Sequence, residues 1–236
     1  MKPQEYTCTV KGFRMMTPTV FEVTFDTEKP LSFVAGQFVS IVVPGAGPKG
    51  RDLRRAYSIA SAPEIRPVEL CIKIVEEGPG TQYLYRLRPG DAVKLWAPYG
   101  DFVYKPKPNR NICFVATGTG IAPFRAMLMS DAFKADPPKS TFCYFGVRSE
   151  EELVYLNFLD NYPDMRFVAA VSQASPSWTG YRGRVTHYLK TECKDLPWLE
   201  TEYYLCGHGG MIAEVKAMLL EKGVAKDAIH QEIYYK

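Results

Sequence analysis

The chain has 236 residues, 46% hydrophobic and 23% charged, with a formal net charge of +3. This is a globular balance. The charge is too small to argue for nucleic acid or a membrane surface, and no apolar run is long enough to span a bilayer. The N-terminal residues lack the apolar core of a signal peptide, so a soluble, cytoplasmic protein is expected.

The first half reads as short strands separated by turn residues. Residues 20–25 are β-rich, 38–43 form a continuous apolar run, and 68–74 alternate cleanly, so one face is buried. Residues 92–96 alternate again after the turn Arg88-Pro89-Gly90-Asp91, and a short helix is expected over 81–87. Several antiparallel strands with one helix suggest a small Greek-key β-barrel. The polar, proline-rich stretch 105–110 reads as a linker, because the hydrophobic pattern changes across it.

The second half alternates strand and helix. Strands are expected over 111–116, 141–145, 166–171, 202–205 and 229–234, with helices over 123–129, 152–161, 186–190 and 211–222. This rhythm predicts an α/β, doubly wound, mainly parallel sheet. The expected division is therefore a barrel domain over 1–104 and an α/β domain over 105–236. Ligands on such sheets bind beyond the strand C-termini, which makes the loops at Thr117, Gly146, Ser172 and Gly207 the candidate site.

The six cysteines, Cys8, Cys71, Cys113, Cys143, Cys193 and Cys206, contain no C-x-x-C pair, so no iron–sulfur cluster is expected. Their strand-like settings suggest buried small hydrophobes. His187, His208 and His230 lack ligand spacing, so no metal site is expected.

Four segments carry chemistry. Arg55-Ala56-Tyr57-Ser58 offers a cation for phosphate, a ring for stacking and a hydroxyl. On a strand, Arg55 and Tyr57 share a face and Ser58 points the other way. Taken alone, the segment reads as an ordinary strand with an exposed arginine and a buried tyrosine. Gly78-Pro79-Gly80-Thr81 tips that balance, because its glycines allow close approach and Thr81 is expected to cap the following helix. The N–H groups of such a helix start attract phosphate. Gly118-Thr119-Gly120-Ile121-Ala122-Pro123 follows a buried strand and opens a helix, the setting a phosphate turn requires, although Pro123 stands where G-x-G-x-x-G has its third glycine. Cys206-Gly207-His208-Gly209-Gly210-Met211 repeats the arrangement. Cys206 alone is most simply a buried cysteine, and His208 a solvated loop residue.

In order and spacing these segments resemble the ferredoxin–NADP⁺ reductase superfamily over nearly the whole chain. Phe145-Gly146-Val147-Arg148, Glu152-Leu153-Val154-Tyr155 and the ending Glu232-Ile233-Tyr234 are similar to it as well. The resemblance implies FAD held by Arg55, Ala56, Tyr57, Ser58, Cys71, Ile72, Lys73, Gly78, Gly80 and Thr81. It implies a nicotinamide dinucleotide held by Thr117, Gly118, Thr119, Gly120, Arg148, Cys206 and Gly207. Arg55 would bind flavin phosphate, Tyr57 would stack on the isoalloxazine and Ser58 would contact N5. Cys206 would lie near the nicotinamide C4, and Glu232 would relay a proton with Ser58. Tyr234 or Tyr235 would cover the other flavin face.

The implied activity is a flavoprotein reductase that moves hydride from NAD(P)H to FAD N5. It would pass electrons to a separate acceptor, such as a ferredoxin or an oxygenase component. The plant-type Ser-Arg pair that reads a 2′-phosphate is replaced by Ser172-Gln173, and no acidic residue at the strand end clearly reads a ribose diol either; the balance favours NADH over NADPH. Arg148, Arg182 and Arg184 are the alternative phosphate ligands. Two other functions remain open: a reductase that uses free flavin as substrate, and a non-catalytic subunit that senses redox state through FAD and nicotinamide.

Overall fold

The computed structural model describes residues 2–107 and 109–235, with Tyr235 described by its backbone alone. Met1, Lys236 and Pro108 of the expected linker lie outside the described residues. The chain forms two compact units, Met1–Tyr104 with Ala122–Ala135, and Lys105–Ile121 with Asp136–Lys236. Among the described residues, no helix is long and apolar enough to cross a membrane.

The first unit holds strands β1 (Gln4–Thr17), β2 (Val20–Thr27), β3 (Phe38–Val43), β4 (Leu53–Ser58), β5 (Val68–Lys73) and β6 (Ala92–Tyr99), with helix α1 (Pro79–Arg86). They pair antiparallel in the order β4-β3-β6-β1-β2-β5. The two edge strands meet in an Ile59–Leu70 bridge, and Ala60 N donates to Glu69 O at 2.8 Å. That contact joins the two ends of the sheet at one point. Phe21, Phe25, Val39, Ile41, Leu70 and Leu95 fill the interior with essentially no exposure. Each buried side chain of this kind stabilises the fold by about 1.5–3 kcal/mol.

β1 was not among the expected strands. Only Tyr6, Cys8 and Val10 alternate into the core, and register shifts at Val10/Gly12 and Met15/Thr17 then break the period. A bulge of this kind erases the two-residue signal that sequence reading depends on.

Helices α2 (Ala122–Met129) and α3 (Asp131–Ala135) group with the barrel unit because of what they touch. Arg125 Nη1 donates to Ala60 O at 2.7 Å and to Glu69 Oε2 at 2.5 Å. Phe124 packs on Phe102, and Phe133 on Tyr104, with ring centroids 5.9 and 4.8 Å apart. In chain order these residues fall in the expected α/β half, 105–236; by contact they group with the barrel.

The second unit holds β7 (Asn111–Thr117), β8 (Thr141–Val147), β9 (Met165–Val171), β10 (Tyr181–Arg182), β11 (Thr201–His208) and β12 (Ile229–Tyr235). All pair parallel in the order β10-β9-β8-β7-β11-β12. Helices α4 (Leu156–Asp160), α5 (Val185–Thr191) and α6 (Gly209–Glu221) connect them. The helix expected over 152–161 is shorter. Glu150–Glu152 forms a 3₁₀ turn, and Tyr155 then takes a left-handed conformation (φ 58°) before α4 begins. Two of those glutamates serve neighbouring loops instead, Glu152 accepting from Arg148 N and Glu150 from Ser175 N.

The start of this unit is tied down by charge. Glu202, nearly buried on β11, meets Lys107 Nζ at 3.0 Å, Arg110 Nη2 at 3.3 Å and His230 Nε2 at 3.2 Å. Strand order reverses between β7 and β11, and the crevice at the C-terminal ends of these strands is the place a doubly wound sheet offers a ligand.

Candidate functional site

Two clusters gather the residues singled out in the sequence, one in each unit. In the barrel, β4 is fixed by a residue the sequence reading passed over. Arg54 donates from Nε to Ser40 Oγ (3.0 Å) and from Nη2 to Tyr99 Oη (2.6 Å), and its guanidinium lies over the Trp96 ring at 5.2 Å. With Arg54 spent on one face, strand alternation sends Arg55 and Tyr57 to the other. There they meet α1. A Cβ on the buried Gly80 would collide with Tyr57 Oη and stand 2.8 Å from Arg55 Cγ. Only glycine permits this approach.

Thr81 is not the helix cap. Gly78 holds that position without a side-chain bond, and Pro79 follows it. Thr81 sits in the first turn, where its Oγ1 accepts from Val75 N at 3.3 Å and lies 3.0 and 3.1 Å from the carbonyls of Gly78 and Val75. It therefore braces the loop, and the first amides of α1 keep no side-chain partner at the cap. Such amides with a nearby arginine are suited to a pyrophosphate.

Burial pushes the Tyr57 hydroxyl up to about 12, against the opposing pull of Arg55, so the ring is neutral at working pH. Ser58 is buried and Ala56 is exposed. On β5, Ile72 turns into the barrel core with Val68 and Leu70, so only its backbone is open to a ligand. Cys71 and Lys73 take the opposite face.

In the second unit, the loops after β7 and β11 interlock. A Cβ on Gly120 would lie 2.6 Å from Cys206 C and 2.8 Å from Gly207 N. Gly207 has φ +126°, and His208 N donates to Thr117 Oγ1 at 2.9 Å. Gly118–Ile121 form a 3₁₀ turn at this point, with Thr117, Gly118 and Thr119 half-buried. His208 is more than a solvated loop residue. It caps α6, its Nδ1 accepting from Gly210 N at 3.0 Å. Arg148 is exposed at the end of β8.

Cys206 and Glu232 stand opposite each other in the β11–β12 register, and Tyr234 shares their face two residues on. Cys206 is fully buried, and burial, then the Glu232 charge, holds its thiol well above the ordinary value. The Tyr234 hydroxyl and the Gly207 amide pull the other way without reversing the shift. The site thus presents a neutral thiol beside a carboxylate and a phenol. The side chain of Tyr235 lies outside the described residues. All six cysteines are free and buried. Native protein mixed with a thiol-specific reagent at pH 8 is accordingly expected to show no fast-reacting thiol, and six after denaturation. A rapid native phase that disappears in Cys206→Ala would show that the β11 end is open.

The residues present fit a flavin dinucleotide in the barrel and a second dinucleotide at the β7/β11 crevice. Comparison with known proteins points the same way. The family model for an oxidoreductase FAD-binding domain matches residues 11–104, and the one for an oxidoreductase NAD-binding domain matches 114–217. The chain is 34% identical over 233 residues to ferredoxin–NADP reductase B of Sorangium cellulosum, covering 94% of both proteins. It is 28% identical to the phenol hydroxylase P5 protein of Acinetobacter pittii, covering 97% of this chain and 65% of that protein. Among solved structures, a cytochrome P450 reductase from Amycolatopsis aligns over 99% of this chain and 71% of its own, with 29% identity and a TM-score of 0.85. A ferredoxin NADP⁺ reductase from Neisseria gonorrhoeae, solved with FAD and NADP, shares the fold over 99% of both chains (TM-score 0.85, 22% identity).

Proposed function

The chain belongs to the ferredoxin–NADP⁺ reductase superfamily of FAD-dependent oxidoreductases, and on that premise we propose that it takes hydride from NADH and delivers electrons to a separate protein. The acceptor is a ferredoxin or an oxygenase component, in keeping with relatives named as a ferredoxin–NADP reductase and as the electron transfer component of anthranilate 1,2-dioxygenase. The six free thiols fit the reducing cytoplasm, where reduced dinucleotide is supplied.

When bound, FAD supplies the chemistry, taking two electrons with a hydride and releasing them singly. The chain supplies binding and orientation. Arg55 and the first amides of α1 hold the pyrophosphate. Tyr57, kept neutral, would offer its ring face, and the Ser58 hydroxyl would contact N5. Thr117, Gly118, Thr119, Gly120 and Gly207 form the wall against which the second dinucleotide lies. Cys206, an uncharged and polarisable thiol, packs beside the nicotinamide ring without competing for hydride. Glu232 would relay a proton with Ser58, and Tyr234 or Tyr235 would cover the other face of the flavin.

The observation that carries this reading is the contact of Gly80 with Arg55 and Tyr57, which builds a phosphate-and-ring cradle suited to a resident flavin. Anaerobic mixing of the yellow holoprotein with NADH tests it. Bleaching of the flavin, followed by reoxidation on adding a one-electron protein acceptor, is the expected result. Flavin that stays oxidised under NADH and NADPH alike would instead mark a redox sensor. A colourless protein that turns over added riboflavin would mark a free-flavin reductase.

A further inference from the structure

At the C-terminal ends of β8 and β9, two loops are laced together by backbone. Ser172 N donates to Val147 O at 3.1 Å and Gln173 N to Arg148 O at 2.7 Å. Ser175 N then donates to Glu150 Oε1 at 2.7 Å. The β9 loop is shaped from its far side by Arg182, whose Nη2 donates to Pro176 O (2.9 Å) and Trp178 O (2.6 Å). We propose that Glu150 sets the dinucleotide preference, accepting the free ribose 2′-hydroxyl of NADH and turning away the 2′-phosphate of NADPH. This rests on reading the β7/β11 crevice as the dinucleotide site.

The argument is positional first. In a doubly wound sheet the pyrophosphate sits at the switch point, and an acidic side chain after the following strand reads the ribose diol. Here β7 flanks the switch and β8 follows it, with Glu150 three residues beyond the last residue of β8, Val147. A carboxylate has about four acceptor positions. The Ser175 amide and the Glu150 amide itself occupy part of that capacity and hold the carboxyl below its usual range, so it stays an acceptor at working pH.

The charge balance decides against phosphate. A phosphate dianion wants converging arginines. The loops over 148–152 and 172–184 carry Arg148, Arg182 and Arg184 against Glu150, Glu151 and Glu152, leaving no cationic excess. Arg182 has two of its donor bonds committed to loop carbonyls and lies within the field of Glu150. Like charges set together at a binding site are strongly disfavoured, so a 2′-phosphate beside this carboxylate is rejected.

The test uses FAD-loaded protein and kcat/KM for NADH and NADPH. Wild type is expected to favour NADH by about tenfold or more, and Glu150→Gln to shrink that ratio about tenfold, chiefly through KM for NADPH. Wild type alone gives a second reading: ADP-ribose should compete with NADH, and its 2′-phosphorylated form should compete at least tenfold less well. A wild-type preference for NADPH would overturn the assignment. So would an unchanged ratio in Glu150→Gln with a native flavin spectrum, or equal competition by the two ADP-ribose probes. Failure of the underlying reading looks different, since then neither dinucleotide would reduce the flavin and both proposals would fall together.

Discussion

Gly120→Ala is expected to abolish turnover with nicotinamide dinucleotides while leaving a protein that still binds flavin. The added methyl would stand 2.6 Å from Cys206 C and 2.8 Å from Gly207 N. Both are backbone atoms of β11, a buried interior strand held between β7 and β12. A flexible side chain could swing aside; a sheet backbone in parallel register cannot. Overpacking of this kind costs about 1–3 kcal/mol, and relief can come only by parting the loops that Thr117 Oγ1 and His208 N join at 2.9 Å. That parting displaces Cys206 and widens the crevice where pyrophosphate is proposed to lie. Thermal unfolding and NADH-driven flavin bleaching, measured on the same sample, check it. A variant with wild-type melting temperature and undiminished bleaching would mean the interlock does not shape the site.

Gly80→Ala should produce colourless protein. Two effects oppose each other here, and their sizes decide. Alanine in place of glycine stabilises even a helix interior by only roughly 0.5–1 kcal/mol, and Gly80 lies in the first turn of α1. Against this, the new methyl collides with Tyr57 Oη and crowds Arg55 Cβ and Cγ at 3.0 and 2.8 Å, an overpacking of about 1–3 kcal/mol. Tyr57 packs against the barrel core and has little room to retreat, so α1 or β4 must shift. Either movement spoils the proposed phosphate-and-ring cradle. FAD content after purification, read from the visible spectrum, is the measurement. Arg55→Ala offers the contrast: it removes a cation without moving α1, so it should weaken FAD retention yet leave the barrel's melting temperature near that of wild type. Full FAD occupancy in Gly80→Ala would show that the cradle lies elsewhere.

The pH response of the barrel follows from Tyr57. Its folded value, about 12, lies above the ordinary value of 10. The folded protein therefore holds this proton more tightly than the unfolded chain. The stabilisation is fully present below pH 10 and is lost as pH rises towards 12, so Tyr57 contributes nothing to acid unfolding.

Much of this architecture was legible in the chain because the signals are local. The alternation of 68–74 and the apolar run of 38–43 each report a face buried or not, and that is settled within a few residues. Glycine pairs after a strand likewise announce a turn wherever they fall. β1 escaped because its bulges break the period. Thr81 was misread as a cap because a threonine ahead of a helix looks the same whether it holds the first amide or braces the preceding loop.

By itself, then, the order of residues determined an antiparallel barrel followed by a parallel sheet, and the segments at which each could meet a dinucleotide, since periodicity and turn chemistry act between near neighbours. Tertiary structure alone decided why Gly80 and Gly120 have to be glycine, for the atoms they would strike belong to Tyr57, Arg55 and Cys206 on other strands. It alone placed Ala122–Ala135 with the barrel, through Arg125 and Glu69, and it alone raised the Cys206 thiol well above its ordinary value, by burying it in register with Glu232. Those outcomes depend on contacts between residues distant in the chain, which only folding brings together.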